Sequence, residues 1–146
     1  MDKKESAIKL FSQDKFNCAQ SVFAALADGY VDRDTALKAA AGFGGGMRCG
    51  EVCGAVTGAL MALGIAFGSC TPGDAEGKQR SNSKACAFID AYQKKHGTLL
   101  CRELLGYNPG IPEDAQKIGE LGLHDTVCRQ AITDAVEIAD GIITRG

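Results

Sequence analysis

The sequence predicts an all-α fold: one domain, a bundle of six or seven helices packed around a buried central helix rich in glycine and alanine. Three observations point there. Apolar residues recur at three- and four-residue intervals along most of the chain. No stretch of useful length alternates apolar and polar residues with period two. Residues 52–67 carry no charge and combine Gly54, Gly58 and Gly64 with many alanines. At 146 residues the chain matches one domain in length and can bury a core without disulfide staples.

Taken in order, Ala7, Ile8, Leu10 and Phe11 mark a short first helix, broken at residues 14–17. Asn17 is a good N-cap for a helix over 18–27, with Gly29 at its C-terminal end. Asp32 or Asp34 caps a helix over 35–41. Residues 42–46 form a glycine-rich turn that cannot be regular helix cheaply, and close backbone approach beside a functional site is its expected role. The apolar helix over 51–67 follows, with Gly54 and Gly58 forming a small-residue face. The uncharged run extends to residue 73, which is long enough to suggest a membrane span of about 20 residues. Its glycines, Thr57, the Thr71-Pro72-Gly73 ending, the absence of flanking aromatics and the amphipathic remainder favour a buried helix instead. A loop at 69–77 leads to a helix over 81–95, with Ala85, Phe88, Ile89 and Tyr92 on one face, ended by His96-Gly97. Thr98 caps a short helix over 99–105, and Tyr107-Asn108-Pro109-Gly110 is a turn. Pro112 opens a helix to about residue 121, closed by Gly122. Asp125 or Thr126 caps the last helix, whose stripe is Cys128, Ile132, Ala135, Ala139 and Ile142.

Composition narrows function by exclusion. Sixteen basic against eighteen acidic residues leave no excess to neutralise a phosphate backbone, and 6% aromatics with no Trp leave few stacking platforms, so no nucleic-acid partner is expected. The segment MDKKESAIKL has no apolar signal core, which makes a reducing cytoplasm the expected compartment. There, seven cysteines point to metal or redox chemistry rather than staples.

Four of the cysteines fall at predicted helix starts. Cys18 follows its cap, Cys53 lies in the first turn of the central helix, and Cys101 and Cys128 each follow a capping residue by three positions. Unpaired N–H groups and positive partial charge at a helix start favour thiolate over thiol. The same four head apolar faces, so the helix starts can converge, and converging thiolates need a cation or disulfide pairing. The competing reading treats each as a small buried hydrophobe, the common fate of free cysteine. Cys49 is a further candidate thiol, an alternative ligand or resolving group, whereas Cys70 and Cys86 read as packing or incidental.

The string Cys53-Gly54-Ala55-Val56-Thr57-Gly58 has the form C-G-A-x-x-G, with Cys18 upstream, Cys101 in CRELLG and Cys128 in the last helix. Together with the GGGM turn and the GALMALG helix, this resembles the C-GCAxxG-C-C family, grouped as redox-active proteins, over nearly the whole chain. The resemblance implies Cys18, Cys53, Cys101 and Cys128 as the functional positions. Cys49 stands where the family leads one to expect glycine.

Other constellations are weak. Residues 42–46 follow a helix rather than a strand, and Gly77-Lys78 is followed by Gln79, so neither a phosphate loop nor a dinucleotide fingerprint is present. C-x-x-C, C-x-x-C-H and zinc-ribbon spacings are absent. His124, four residues before Cys128, is a candidate to orient a thiolate or ligate a metal, but reads first as a loop or capping residue outside the helix start; His96 reads as a residue meeting the helix dipole. Glu51 either accepts protons or favours the positive helix end. Three functions then compete. One is electron transfer through a metal or [2Fe–2S] centre on Cys18, Cys53, Cys101 and Cys128. The second is thiol–disulfide oxidoreductase or carrier chemistry with no cofactor. The third is a structural zinc domain with the same four ligands. A redox partner protein is expected for the first two, and a homodimer through glycine-rich helix surface fits any of them.

Overall fold

A computed structural model describes residues 2–146, and among them the secondary structure is helical with no strand. Eight α-helices form: α1 (Lys3–Ser12), α2 (Cys18–Leu26), α3 (Arg33–Ala39), α4 (Gly54–Phe67), α5 (Ala75–His96), α6 (Cys101–Leu105), α7 (Pro112–Glu120) and α8 (Arg129–Arg145). The count is eight rather than the expected six or seven, since every helical segment named from the sequence, the short α3 and α6 included, forms its own helix.

Local chemistry explains most boundaries. Asn17 caps α2 through a reciprocal pair: its side chain accepts from the Gln20 N–H at 2.9 Å, and its own N–H donates to Gln20 Oε1 at 3.0 Å. That fixes Cys18 as the first helical residue. α5 starts six residues before the predicted 81, because the Asp74 side chain accepts from the Gly77 N–H at 2.9 Å and satisfies an otherwise unpaired donor. α4 starts later than 51, with Cys53 at the N-cap position rather than inside the first turn.

The first two-thirds of α4 form the centre. Ala55, Val56, Ala59, Ala62 and Leu63 are buried against α2, α5 and α8, while Ile65 beyond them is exposed. α2 lies closest, and the Gly54/Gly58 face is the reason. A Cβ at Gly58 would stand 2.7 Å from the Ala19 carbonyl oxygen, and one at Gly54 would stand 3.0 Å from the Ala19 nitrogen. Gly58→Ala is therefore expected to destabilise the protein: overpacking costs about 1–3 kcal/mol, and the gain in helix propensity offsets about 1 kcal/mol. Urea melts of the two proteins check this, and an unchanged midpoint would contradict the seam.

α8 buries Ala131, Ile132, Ala135, Val136, Ala139 and Ile142, the predicted stripe extended by Ala131 and Val136. It is joined to α5 by buried Asp134, which lies 3.2 Å from Lys95 Nζ and 2.9 Å from His96 Nε2. The His96 approach is off the hydrogen-bond line, so it is a close contact rather than a directed bond. His96 thus meets a carboxylate on a neighbouring helix, in addition to ending α5. No helix is long and apolar enough to cross a membrane among the described residues.

A second, smaller core lies beside the first. Cys101, Leu105, Ile118 and Cys128 are buried together, with Phe11, Cys18 and Val127 packed around them. Four helices and the turn before α8 meet at this point, and the meeting carries the site.

Candidate functional site

Two backbone devices bring distant cysteines together. Val52 pairs with Leu100 in an isolated antiparallel bridge. Within it the Cys53 N–H donates to the Leu99 carbonyl at 2.8 Å, and the Cys101 N–H donates to the Glu51 carbonyl at 2.7 Å. The N-cap of α4 and the first residue of α6 are thereby fastened side by side. Arg102 secures the same junction, donating to the Gly50 carbonyl at 3.1 Å and to Glu51 Oε1 at 3.0 Å. That pairing gives Glu51 a structural partner.

The second device concerns Cys128. The chain does not wait for Asp125 or Thr126 to cap the last helix. Gly122 turns with φ +64°, and a wide helical turn, His124–Cys128, runs directly into α8. Cys128 therefore lies one turn inside the helical run, not at its start. His124 consequently shares its face instead of hanging outside, and its Nδ1 lies 3.5 Å from Cys128 Sγ.

The glycine-rich segment closes the site from above. Gly45, Gly46, Met47 and Arg48 are consecutive left-handed residues with φ between 59° and 64°. Met47 and Arg48 each cost about 1–2 kcal/mol in that conformation, so the surrounding contacts must impose it. Gly46 is irreplaceable on sterics: a Cβ there would stand 2.5 Å from the Glu51 nitrogen and 2.8 Å from Cys101 Cβ. The expected close approach of residues 42–46 beside the cysteines is thus realised at Gly46. The segment 46–50 is not α-helical, so Cys49 and Cys53 do not share a helix face. Cys49 is exposed, with its thiol 3.5 Å from the Gly46 carbonyl, and Cys70 and Cys86 are exposed elsewhere.

Cys18, Cys53, Cys101 and Cys128 all line one cavity of about 230 Å³, with His124 in its wall and Arg48 among the residues around it. All seven cysteines are unpaired thiols. The four are not equivalent. The Cys128 sulfur beside it holds the Cys18 thiol well above its ordinary range, with burial adding to the rise. The neighbouring Cys18 thiol and, after it, His124 bring Cys128 down to about 6. Two neighbouring thiols are alike in kind, so the His124 contact to Cys128 decides which sulfur carries the charge. His124 in turn is raised, first by its hydrogen bond to Cys128. Burial pushes Cys101 up to about 12 and also raises Cys53. The helix-start argument therefore fails for three of the four: at Cys18, Cys53 and Cys101 desolvation and neighbouring sulfur outweigh the helix terminus.

Of two further participants, His124 is read from the sequence only as the lesser alternative, and Tyr92 is missed. His124 was misplaced by a helix boundary, although its spacing of four from Cys128 is the signal for a shared face. Tyr92 was read as part of an apolar face. It is fully buried, and its hydroxyl lies 3.9 Å from Cys53 Sγ, the partner that a buried phenol requires. Since this bond lowers Cys53 against the effect of burial, Tyr92→Phe is expected to move the pH profile of Cys53 alkylation upward. Site-resolved mass spectrometry reads that shift, and an unmoved profile would show the contact to be packing alone.

The donor set of thiolates and imidazole suits zinc or an iron–sulfur cluster in kind. Its arrangement does not: no group of three or more His, Cys, Asp or Glu side chains among the described residues converges as a metal cage. The cavity wall is three thiols kept protonated and one lowered sulfur.

No curated protein and no solved structure matches the chain. A family model described as "Putative redox-active protein (C_GCAxxG_C_C)" matches residues 16–142, a span that takes in Cys18, Cys53, Cys101 and Cys128. With so much of its length matched, and with the motif cysteines gathered around one cavity, the chain belongs to the C_GCAxxG_C_C family.

Proposed function

We propose that the protein performs reversible thiol–disulfide chemistry with Cys18 and Cys128 as its working dithiol. The observation that carries this reading is the cavity that Cys18 and Cys128 share, with His124 Nδ1 3.5 Å from Cys128 Sγ. Cys128 is the nucleophile. As a thiolate it attacks an oxidised partner atom, and the neighbouring Cys18 thiol resolves the product, so that the pair loses two electrons and two protons and forms one S–S bond. His124 holds the negative sulfur and is placed to give a proton to a leaving group. Cys53 and Cys101 line the same cavity as thiols that burial keeps neutral, and so stand in reserve rather than in competition for the nucleophile's role.

A metal centre on Cys18, Cys53, Cys101 and Cys128 is the second reading, favoured by their sharing one cavity. It requires the four sulfurs to draw together around the ion, and no step is assigned to it.

Anaerobic purification followed by metal analysis, and by intact-mass thiol counting across a series of redox buffers, tests both. The dithiol reading predicts metal-free protein that loses two titratable thiols in one reversible step. Visible absorption with stoichiometric iron and sulfide, or colourless protein with about one zinc per chain, would replace it by the second reading.

A further inference from the structure

Taking Cys18 and Cys128 as the working dithiol, we infer that the cavity admits a hydroperoxide bearing a small apolar group, and that Cys128 reduces it to the alcohol. The inference rests on the reading proposed above and adds the substrate class.

Access comes first. Cys128 is 8% exposed, and Cys53 and Cys101 are 6% and 7% exposed. A disulfide on another protein must line up three sulfur atoms during exchange, and the bundle shields this one from such an approach. The oxidant is therefore small enough to enter. A cavity of 150 Å³ holds benzene, so one of about 230 Å³ takes a substituted ring or a branched alkyl group of about ten heavy atoms. A charged tripeptide disulfide is several times too large.

Polarity comes second. Phe11, Leu104, Leu105, Ile118 and Val127 form the body of the wall, while the sulfurs, His124, Asn17 and Arg48 provide its smaller polar part. Such a wall accepts an apolar body with one polar end directed at the thiolate. Among small apolar oxidants that take two electrons from one thiolate, the O–O bond of a hydroperoxide needs a single proton donor at the leaving oxygen. His124 beside Cys128 supplies it.

The steps balance as follows. Cys128 thiolate attacks the terminal oxygen of R–O–O–H, the O–O bond breaks, and the alkoxide leaves with the electron pair and takes a proton from His124. The products are R–OH and Cys128 sulfenic acid. Cys18 then attacks the sulfenic sulfur, the S–O bond breaks, and hydroxide leaves with the Cys18 proton as water. The disulfide is returned to two thiols by an external small dithiol, which is itself oxidised to a disulfide.

The test mixes the reduced full-length chain, under nitrogen, with limiting cumene hydroperoxide or with hydrogen peroxide. Peroxide loss and the sites of the new disulfide are followed by mass spectrometry, with N-acetylcysteine as the free-thiol reference. The expected result is a rate ratio, cumene hydroperoxide over hydrogen peroxide, at least tenfold above that of N-acetylcysteine, with one cumyl alcohol formed per Cys18–Cys128 disulfide. A ratio equal to that of N-acetylcysteine, with the same disulfide formed, would overturn the substrate class and leave the dithiol in place. No Cys18–Cys128 disulfide with either peroxide would overturn both.

Discussion

A Cys128→Ser variant is expected to lose the rapid, reversible oxidation step entirely, whereas Cys18→Ser retains the first reaction and stops at an unresolved sulfenic acid or mixed disulfide. The asymmetry follows from His124, which contacts Cys128 and not its partner. The companion observable is the pH profile of Cys128 alkylation in the reduced protein. Its midpoint is expected near 6, against about 8.5 for an ordinary thiol. The absolute rate is a poor guide. A more acidic thiolate is also a weaker nucleophile, so much of the gain in ionised fraction at neutral pH is given back, and burial slows the reagent further. The midpoint is free of both effects. Replacing His124 by Ala removes one of the two groups that lower Cys128, so the midpoint is expected to rise. Equal behaviour of the two serine variants, or an unmoved midpoint in the histidine variant, would remove the assignment of roles.

The second large effect is on stability at alkaline pH. Cys101 is raised to about 12, and Cys18 and Cys53 are raised in the same direction. In the unfolded chain these thiols ionise near 8.5. Above that pH the unfolded state has released its protons while the folded state still holds them, so folding stability falls by about 1.4 kcal/mol per pH unit for each such group until its folded value is reached. Cys128 has the opposite sign. Its contribution is complete above its unfolded value and is lost as pH falls through about 6. For Cys101 alone the alkaline loss at two units above 8.5 is about 2.7 kcal/mol. Urea melts of the wild type and of Cys101→Ala at pH 8 and pH 10.5 isolate it, because titrating groups away from the cavity cancel in the difference. The wild type's advantage is expected to shrink by roughly 2–3 kcal/mol between the two conditions. A constant difference would show that Cys101 is hydrated in the folded protein.

What was legible in the sequence was what is decided locally. Asn17 and Gln20 carry their own capping chemistry, so the start of α2 could be placed at Cys18 from residue types alone. Gly54 and Gly58 mark a face that only another backbone can fill, and Ala19 of α2 fills it. The glycine run before Glu51 announced a close approach, realised at Gly46 against Cys101. The four motif cysteines could be named, and they do meet at one cavity.

What was hidden depended on boundaries and on pairing in space. A glycine in the first turn is a weak helix former, so Gly77 hid the true start of α5; its missing side chain is what leaves room for the Asp74 cap. The direct passage from Gly122 into the turn 124–128 hid the shared face of His124 and Cys128, and with it the group that sets the nucleophile. The electrostatics were also inverted. Helix-start position promised four acidic thiols, but burial dominates at Cys53 and Cys101, the Cys128 sulfur comes first at Cys18, and the one lowered thiol owes its state to Cys18 and His124. Nothing in the linear order of cysteines separated by a hundred residues could have said that Cys128 is the cavity sulfur that most affects Cys18.

The most direct test of the account is a disulfide map. The reduced chain is oxidised with one equivalent of a mild two-electron oxidant, quenched with acid, alkylated and digested, and the cross-linked peptides are sequenced by mass spectrometry. The account predicts one dominant species joining Cys18 to Cys128, with Cys53 and Cys101 recovered as thiols. A dominant Cys53–Cys101 bond, or a scatter of links through the exposed Cys49, Cys70 and Cys86, would contradict it.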